Sequence, residues 1–181
     1  MASRNFIMDE PKILKRGEAY LTPMQPYHID EFVKVISKES IRELTLLGYE
    51  NVREAISEAY SSSESYIVRG ADSKILCVGG LWHEGDQEFP QMFAMFSKDV
   101  GKNFQMLARG SRMLVQFLGQ VHSHMTMTIL SEHESMLSWA TWLGFEPIGF
   151  IKSGGHGYVE FVRCNLEESN VYNRASRPAK H

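Results

Sequence analysis

The stretch Thr126-Met-Thr-Ile-Leu-Ser-Glu-His-Glu-Ser-Met-Leu-Ser-Trp-Ala-Thr-Trp-Leu-Gly-Phe-Glu-Pro-Ile-Gly-Phe150 contains three consecutive secondary-structure elements. Residues 125–130 alternate apolar and polar side chains, which is typical of a half-buried strand. Residues 135–143 have the helical spacing of apolar residues, and Gly144 follows as a helix terminator. Residues 145–151 are again apolar and strand-like. The stretch therefore predicts a strand, a helix and a second strand.

Comparable patterns extend in both directions from this stretch. The longest amphipathic pattern is helical and covers residues 104–121. A shorter helical pattern occupies residues 28–37, and a second helical region follows at residues 41–47 and 52–60, interrupted at Gly48. The remaining strand-like segments are residues 20–24, 65–69, 74–82, 89–96 and 158–164. The order β-α-α-β-β-β-α-β-α-β-β predicts an α+β fold with a mixed sheet.

Composition is that of an ordinary globular domain. The chain has 181 residues, with 19 Lys and Arg against 22 Asp and Glu, so its formal net charge is −3. That balance argues against a broad nucleic-acid-binding surface, and no apolar run approaches the ~20 residues that span a bilayer. We expect an N-terminal arm at residues 1–18, one domain at residues 19–165, and a polar C-terminal tail at residues 166–181.

The chain has two cysteines, Cys77 and Cys164, each inside an apolar, strand-like run. We expect two buried, reduced thiols and a reducing, cytoplasmic environment. His122 and His124 flank one serine, but two histidines without a third ligand indicate a solvated turn, so no metal site is expected.

The order of elements resembles the GNAT superfamily of N-acyltransferases. Residues 126–150 resemble the family's strand, crossing helix and Leu-Gly-Phe exit, residues 22–32 its opening strand and first helix, and residues 76–82 its third strand. The resemblance implies a GNAT-like (acyl-CoA N-acyltransferase) fold, with a mixed central sheet flanked by helices. It also implies acetyl-CoA as the cofactor.

Within that superfamily, the run Ser131 to Phe145 is most similar to the internal core protein A family of short-tailed phages. This closer resemblance implies a role in virion assembly. The partners would then be other phage or virion proteins, or further copies of the chain. The expected location is the cytoplasm of an infected bacterium or the virion itself.

The family's pyrophosphate loop has the pattern Gln/Arg-x-x-Gly-x-Gly/Ala. Lys98-Asp-Val-Gly-Lys-Asn103 resembles it with one glycine, and this resemblance assigns Val100, Gly101, Lys102 and Asn103 to acetyl-CoA. An alternative register, Gln105-Met-Leu-Ala-Arg-Gly110, assigns Arg109 and Gly110 instead. Helix length favours the first register. Because both depart from the pattern, an ordinary loop and helix cap remains an alternative.

The family's general acid is often a tyrosine four residues before the glycine that ends the crossing helix, and Ala140 occupies that position. Its base is often a glutamate on the strand that matches residues 89–96, and no glutamate lies there after residue 88. The candidate catalytic residues are therefore Glu84, which precedes that strand, and Glu132 and His133, which follow the next one. Capping of the helix by residues 131–134 is the alternative.

Three functions follow from these departures. The first is a non-catalytic interaction protein on a GNAT scaffold, consistent with the degraded loop and the missing acid. The second is an active acetyl-CoA-dependent N-acetyltransferase acting on an amine of a small molecule or a protein, since positioning alone supplies part of the catalysis. A third is binding of acyl-CoA without chemistry.

Overall fold

The computed structural model describes residues 12–83 and 89–164. The eight strands are β1 (Leu14–Arg16), β2 (Ala19–Pro23), β3 (Ser63–Arg69), β4 (Ile75–Trp82), β5 (Gln91–Phe96), β6 (His124–Leu130), β7 (Glu146–Ser153) and β8 (His156–Cys164). The five α-helices are α1 (Pro26–Val33), α2 (Lys38–Leu46), α3 (Val52–Ser62), α4 (Phe104–Leu118) and α5 (Glu134–Trp142). A short 3-10 turn, Val100–Asn103, leads directly into α4.

All eight strands form one sheet in the order β1-β2-β3-β4-β5-β6-β8-β7. Every neighbouring pair is antiparallel except β5 and β6, which are parallel. A parallel pair needs a crossover, and α4 provides it. The mixed sheet flanked by helices confirms the predicted fold class.

Helices cover both faces of the sheet, and alternating residues of the strands divide between them. Ile67 and Val78 pack with α1, α2 and α3 in one apolar cluster, whereas their neighbours Val68 and Cys77 pack with α4 and α5 in another. This division follows from the twofold alternation of side chains along a strand. The central strands therefore read as continuous apolar runs, because they are buried on both faces.

The segment assigned to the N-terminal arm contributes a strand. β1 pairs with β2 through a hairpin whose turn contains Gly17 with a φ of +64°. The three residues of β1 are exposed, so no apolar alternation in the sequence indicated a strand. Residues 1–11 and the tail from residue 165 lie outside the described residues.

Two smaller expectations are wrong. The serine cluster Ser61-Ser62-Ser63 predicts a loop, but α3 continues to Ser62 and β3 begins at Ser63. Cys164 is exposed at the end of β8, so only Cys77 is a buried thiol, and burial raises the pKa of Cys77 to about 12. Within the described residues, no helix is long and apolar enough to cross a membrane.

Candidate active site

The sheet splits between its two parallel strands. β5 and β6 share one paired position, Gln91 with Thr126, at the start of both strands. An additional backbone bond runs from the Thr126 N–H to the Pro90 carbonyl at 3.0 Å. Beyond these residues the strands diverge, so the facing edge of β5 is not paired with another strand of the described chain. The result is a V-shaped gap that opens toward the carboxyl ends of β5 and β6.

A cavity of about 440 Å³ fills this gap. That volume is within the usual range for small-molecule sites. Residues of β5 and β6 form its walls, and both helical layers contribute to its lining. From α4 and α5 come Ser111, Leu114, Met136 and Trp139, and from α2 and α3 come Ser40, Glu43, Leu44 and Glu58. The cavity therefore connects the two faces of the sheet.

Two ion pairs hold α2 against the start of α5 at the edge of this cavity. Oε1 of Glu43 lies 2.8 Å from Nδ1 of His133, and Oε1 of Glu132 lies 2.6 Å from Nη2 of Arg42. The first pair is mostly shielded, with side-chain exposures of 30% for Glu43 and 18% for His133. The second pair is half exposed. Only Glu43 of these four residues lines the cavity.

The environment of Glu43 suits proton transfer. Burial raises the pKa of its carboxyl, and the neighbouring His133 opposes that rise. Because burial and a partner of opposite charge act on one carboxylate beside a cavity, this pair is a candidate acid–base centre.

Tyr158 is the second polar group of chemical interest. It lies on β8, is paired with Leu130 at the end of β6, and lines the cavity at the wide end of the gap. A phenol is a proton donor of suitable strength for a leaving thiolate. Ala140, where the family resemblance places a tyrosine, is fully buried in α5 and has no proton to donate.

The predicted cofactor residues lie where α4 begins. Val100, Gly101, Lys102 and Asn103 form the 3-10 turn, and no side chain caps either this turn or α4. Backbone N–H groups at the start of a helix have no partner within the helix and attract anions. A Cβ added to Gly101 would meet no atom within 4 Å, so the chain leaves open space beside this glycine. The turn therefore fits the pyrophosphate of a CoA molecule.

An aromatic pair connects this turn with the cavity. The ring of Phe104, the first residue of α4, lies 5.4 Å from that of Trp139 in an edge-to-face arrangement. Trp139 lines the cavity, whereas Trp142 is largely exposed and lies under the guanidinium of Arg112. A ligand with one end at the turn and the other in the gap would pass this aromatic pair.

The alternative cofactor register occupies a different position. Arg109 and Gly110 are the sixth and seventh residues of α4 and lie away from its N-terminus. A Cβ on Gly110 would lie only 2.1 Å from Cγ1 of Val68, so this glycine lets α4 approach β3 closely. Its role in the described structure is helix–sheet packing.

Glu132 and His133, two of the catalytic candidates from sequence, form ion pairs with different residues in the structure. Glu132 points outward to Arg42, His133 is the N-cap residue of α5 without a capping side-chain bond, and Glu84 lies outside the described residues. Sequence reasoning missed Glu43 and Tyr158, because neither belongs to a local motif. The one available signal was a glutamate beside Leu44 on the apolar side of a short helix.

Solved structures that share this fold include acetyltransferases. A chimeric spermidine N-acetyltransferase from Vibrio cholerae aligns over 87% of this chain and 99% of its own length, with 11% identity and a TM-score of 0.62. A ribosomal-protein-S5-alanine acetyltransferase from Vibrio fischeri aligns over 85% and 97%, with 10% identity and a TM-score of 0.62. A GNAT-family acetyltransferase from Streptococcus agalactiae aligns over 81% and 95%, with 13% identity and a TM-score of 0.58.

Sequence comparison gives no closer relationship. No protein-family model matches the chain, and no curated protein matches it. The solved structures that match share only 8–14% sequence identity with this chain, and at that level they show its fold alone. None of the three acetyltransferases named above is a phage protein. The sheet order, the β5–β6 gap and these neighbours together establish that the chain has the fold of the GNAT N-acetyltransferases.

Proposed function

We propose that this protein is an acetyl-CoA-dependent N-acetyltransferase whose acceptor is a cationic amine. The observation that supports it most directly is the cavity in the β5–β6 gap, which brings lining residues of α4 and α5 together with carboxylates of α2 and α3. An acyl transfer between two bound molecules needs such a passage, because donor and acceptor must meet in one water-poor space.

The donor side is the turn that precedes α4. The turn of residues 100–103, at the start of α4, would hold the pyrophosphate, and the Lys102 ammonium adds positive charge beside it. Acetyl-CoA, when bound, supplies an acetyl group activated as a thioester. The unpaired edge of β5 would bind the rest of the extended molecule through backbone hydrogen bonds, as an added strand does.

The acceptor side combines acidic and aromatic groups. Glu43 and Glu58 line the cavity from α2 and α3, with the rings of Tyr49 and Trp82 in the same lining. Carboxylates attract an ammonium group by charge, and aromatic faces attract it through their quadrupole. This lining favours a small polyamine or a lysine side chain over a neutral or acidic acceptor.

The residues can also carry the proton transfers. Glu43, with its raised pKa, would remove the proton from the acceptor ammonium, and His133 would hold the carboxylate in place. The free amine nitrogen then forms a bond to the acetyl carbon while the carbon–sulfur bond breaks. The Tyr158 hydroxyl would supply the proton to the departing sulfur and would take up the second proton that the nitrogen loses as the amide forms. The products are then an N-acetylated amine, the CoA thiol and a protonated Glu43.

The test measures CoA release with acetyl-CoA and a panel of spermidine, a lysine peptide and a neutral amide. We expect turnover with the two cationic acceptors, and a loss of about 10²–10⁴-fold in kcat for Glu43→Gln. Glu39→Gln is the matched control, because Glu39 lies one turn earlier on α2 and is exposed. Equal activity of the two variants would remove Glu43 from the mechanism.

A second candidate function is supported by Ala140, which occupies the position of the family's tyrosine acid, and by the lack of a glutamate on β5. Both departures favour a non-catalytic role in which the same scaffold binds protein partners, including the phage or virion proteins that the sequence resemblance implies. Titration of the protein with acetyl-CoA and with desulfo-CoA separates the two. Absence of binding up to about 1 mM, a free energy weaker than about −4.1 kcal/mol, would favour this second role.

A further inference from the structure

Three side chains that are far apart in sequence meet near the amino ends of β5 and β6, where these two strands are paired. Glu64 is the second residue of β3, His83 directly follows β4, and His122 lies in the turn between α4 and β6. Nε2 of His83 lies 2.8 Å and Nε2 of His122 lies 3.2 Å from the same oxygen of Glu64, Oε1. The two imidazole rings are 5.3 Å apart.

The backbone fixes this meeting point. Ser63 is paired with Trp82 and Glu64 with Leu81, which brings the start of β3 to the end of β4. The His122 N–H donates to the Leu118 carbonyl at 3.0 Å and so holds the turn at the end of α4. The cluster therefore does not depend on one flexible loop, since three different elements position its members.

We propose that Glu64, His83 and His122 bind a divalent transition-metal ion, with zinc as the expected ion. Two imidazoles and one carboxylate are a common zinc ligand set. A tetrahedral zinc with bonds of about 2.1 Å holds its ligand atoms about 3.4 Å apart. The two nitrogen–oxygen distances of 2.8 and 3.2 Å approach that spacing, and all three ligand atoms lie within 4.8 Å of one another.

The side chains of the three ligand residues differ in exposure, so that a metal ion can both enter the site and be retained there. The His122 side chain is 15% exposed and firmly held, whereas those of His83 and Glu64 are 47% and 40% exposed and accessible from solvent. Three protein ligands leave one position for water. The ion would tie β3, β4 and the α4–β6 turn together, near Gln91 and Thr126, where the two halves of the sheet remain joined.

None of the three ligand residues lines the cavity of the candidate active site, and the proposal does not rest on the proposed acetyltransferase activity. The predicted pyrophosphate turn follows the carboxyl end of β5, whereas the cluster lies near the amino ends of β5 and β6. The sequence places His122 in a solvated turn, because His122 and His124 provide two ligands and no third ligand lies nearby in sequence. In the structure His124 instead packs against Phe89, with ring centroids 4.8 Å apart.

The test uses full-length protein that has been freed of metal with a chelator and dialysed. We expect calorimetric titration with zinc chloride to give one site per chain, and Co²⁺ to give the visible absorption of a nitrogen- and oxygen-ligated ion. His122→Ala and His83→Ala should each weaken zinc binding at least tenfold. His124→Ala, the matched control, should leave the affinity within about twofold.

Thermal denaturation provides a second measurement. Zinc at about 100 times its dissociation constant should raise the Tm of the wild type by roughly 5–10 °C. Glu64→Gln, which preserves side-chain shape, should lose most of that increase and keep the wild-type circular dichroism spectrum. Two results would overturn the proposal: absence of a one-to-one site, or equal weakening by His122→Ala and His124→Ala.

Discussion

Gly110 is the position where the packing of α4 on the sheet is most sensitive to a single added methyl group. In Gly110→Ala the new Cβ would lie 2.1 Å from Cγ1 of Val68 and 3.3 Å from its Cβ and Cγ2. Ordinary contact begins near 3.4 Å, so the helix and the strand must separate by more than 1 Å. Val68 is fully buried in the core, so its side chain cannot move outward into solvent.

The expected cost follows from two opposing effects. Overpacking of a core by one methyl group costs about 1–3 kcal/mol, while replacing glycine by alanine within a helix contributes up to about 1 kcal/mol in the other direction. We expect Gly110→Ala to lower the free energy of unfolding by about 1–2 kcal/mol. For a chain of this length that corresponds to a Tm decrease of roughly 2–8 °C.

Chemical denaturation of four proteins tests this reasoning: the wild type, Gly110→Ala, Val68→Ala and the double variant. Val68→Ala alone should cost about 2 kcal/mol, because it removes two buried methyl groups. In the double variant the new methyl group would occupy part of the vacated space. We therefore expect it to be more stable than the sum of the single effects by about 1 kcal/mol. Simple additivity, or a Gly110→Ala protein as stable as the wild type, would refute the close contact.

Three further outcomes are expected from the candidate site and the cysteines. Gly101→Ala should leave the unfolding free energy within about 0.5 kcal/mol of the wild type, because no atom lies within 4 Å of the new Cβ, but should weaken acetyl-CoA binding in calorimetry at least tenfold. Burial raises the pKa of the Glu43 carboxyl above 4.5, so this group contributes stability at low pH that is lost as the pH rises through its folded pKa. The stability of Glu43→Gln relative to the wild type should therefore increase as the pH rises above 4.5 in a series of denaturation curves. A thiol reagent at pH 8 should modify Cys164 rapidly and Cys77 only after denaturation, since Cys77 is buried with a pKa of about 12; two equivalents consumed by the native protein would contradict this.

Much of the architecture could be predicted from local patterns. Apolar periodicity located the five helices and most strands within a few residues, and Gly144 ended α5 as expected, with a φ of +88°. The glycine-rich run Ser153-Gly-Gly-His-Gly157 predicts a hairpin loop, and Gly154 and Gly155, between β7 and β8, both have positive φ. These features depend on neighbours in sequence, so the sequence alone reveals them.

What escaped prediction depends on distant residues. β1 is an exposed strand that exists because β2 provides its partner, and no alternation of its own indicates it. Glu43 and His133 are ninety residues apart in sequence, and their ion pair arises from the docking of α2 against the start of α5. The Glu64, His83 and His122 cluster likewise needs three elements to converge. Local sequence patterns contain no information on such contacts.

The single paired position between β5 and β6 also has a consequence for the hydrogen exchange of backbone amides. In a continuous sheet each strand protects the amides of the next from hydrogen exchange, whereas the edge of β5 that faces the gap has no such protection from β6. The sheet is therefore two ladders, β1 to β5 and β6 to β8, joined at Gln91 and Thr126. A molecule bound along β5 would close that seam, so deuterium uptake by this one strand would report on occupancy without any chemical turnover.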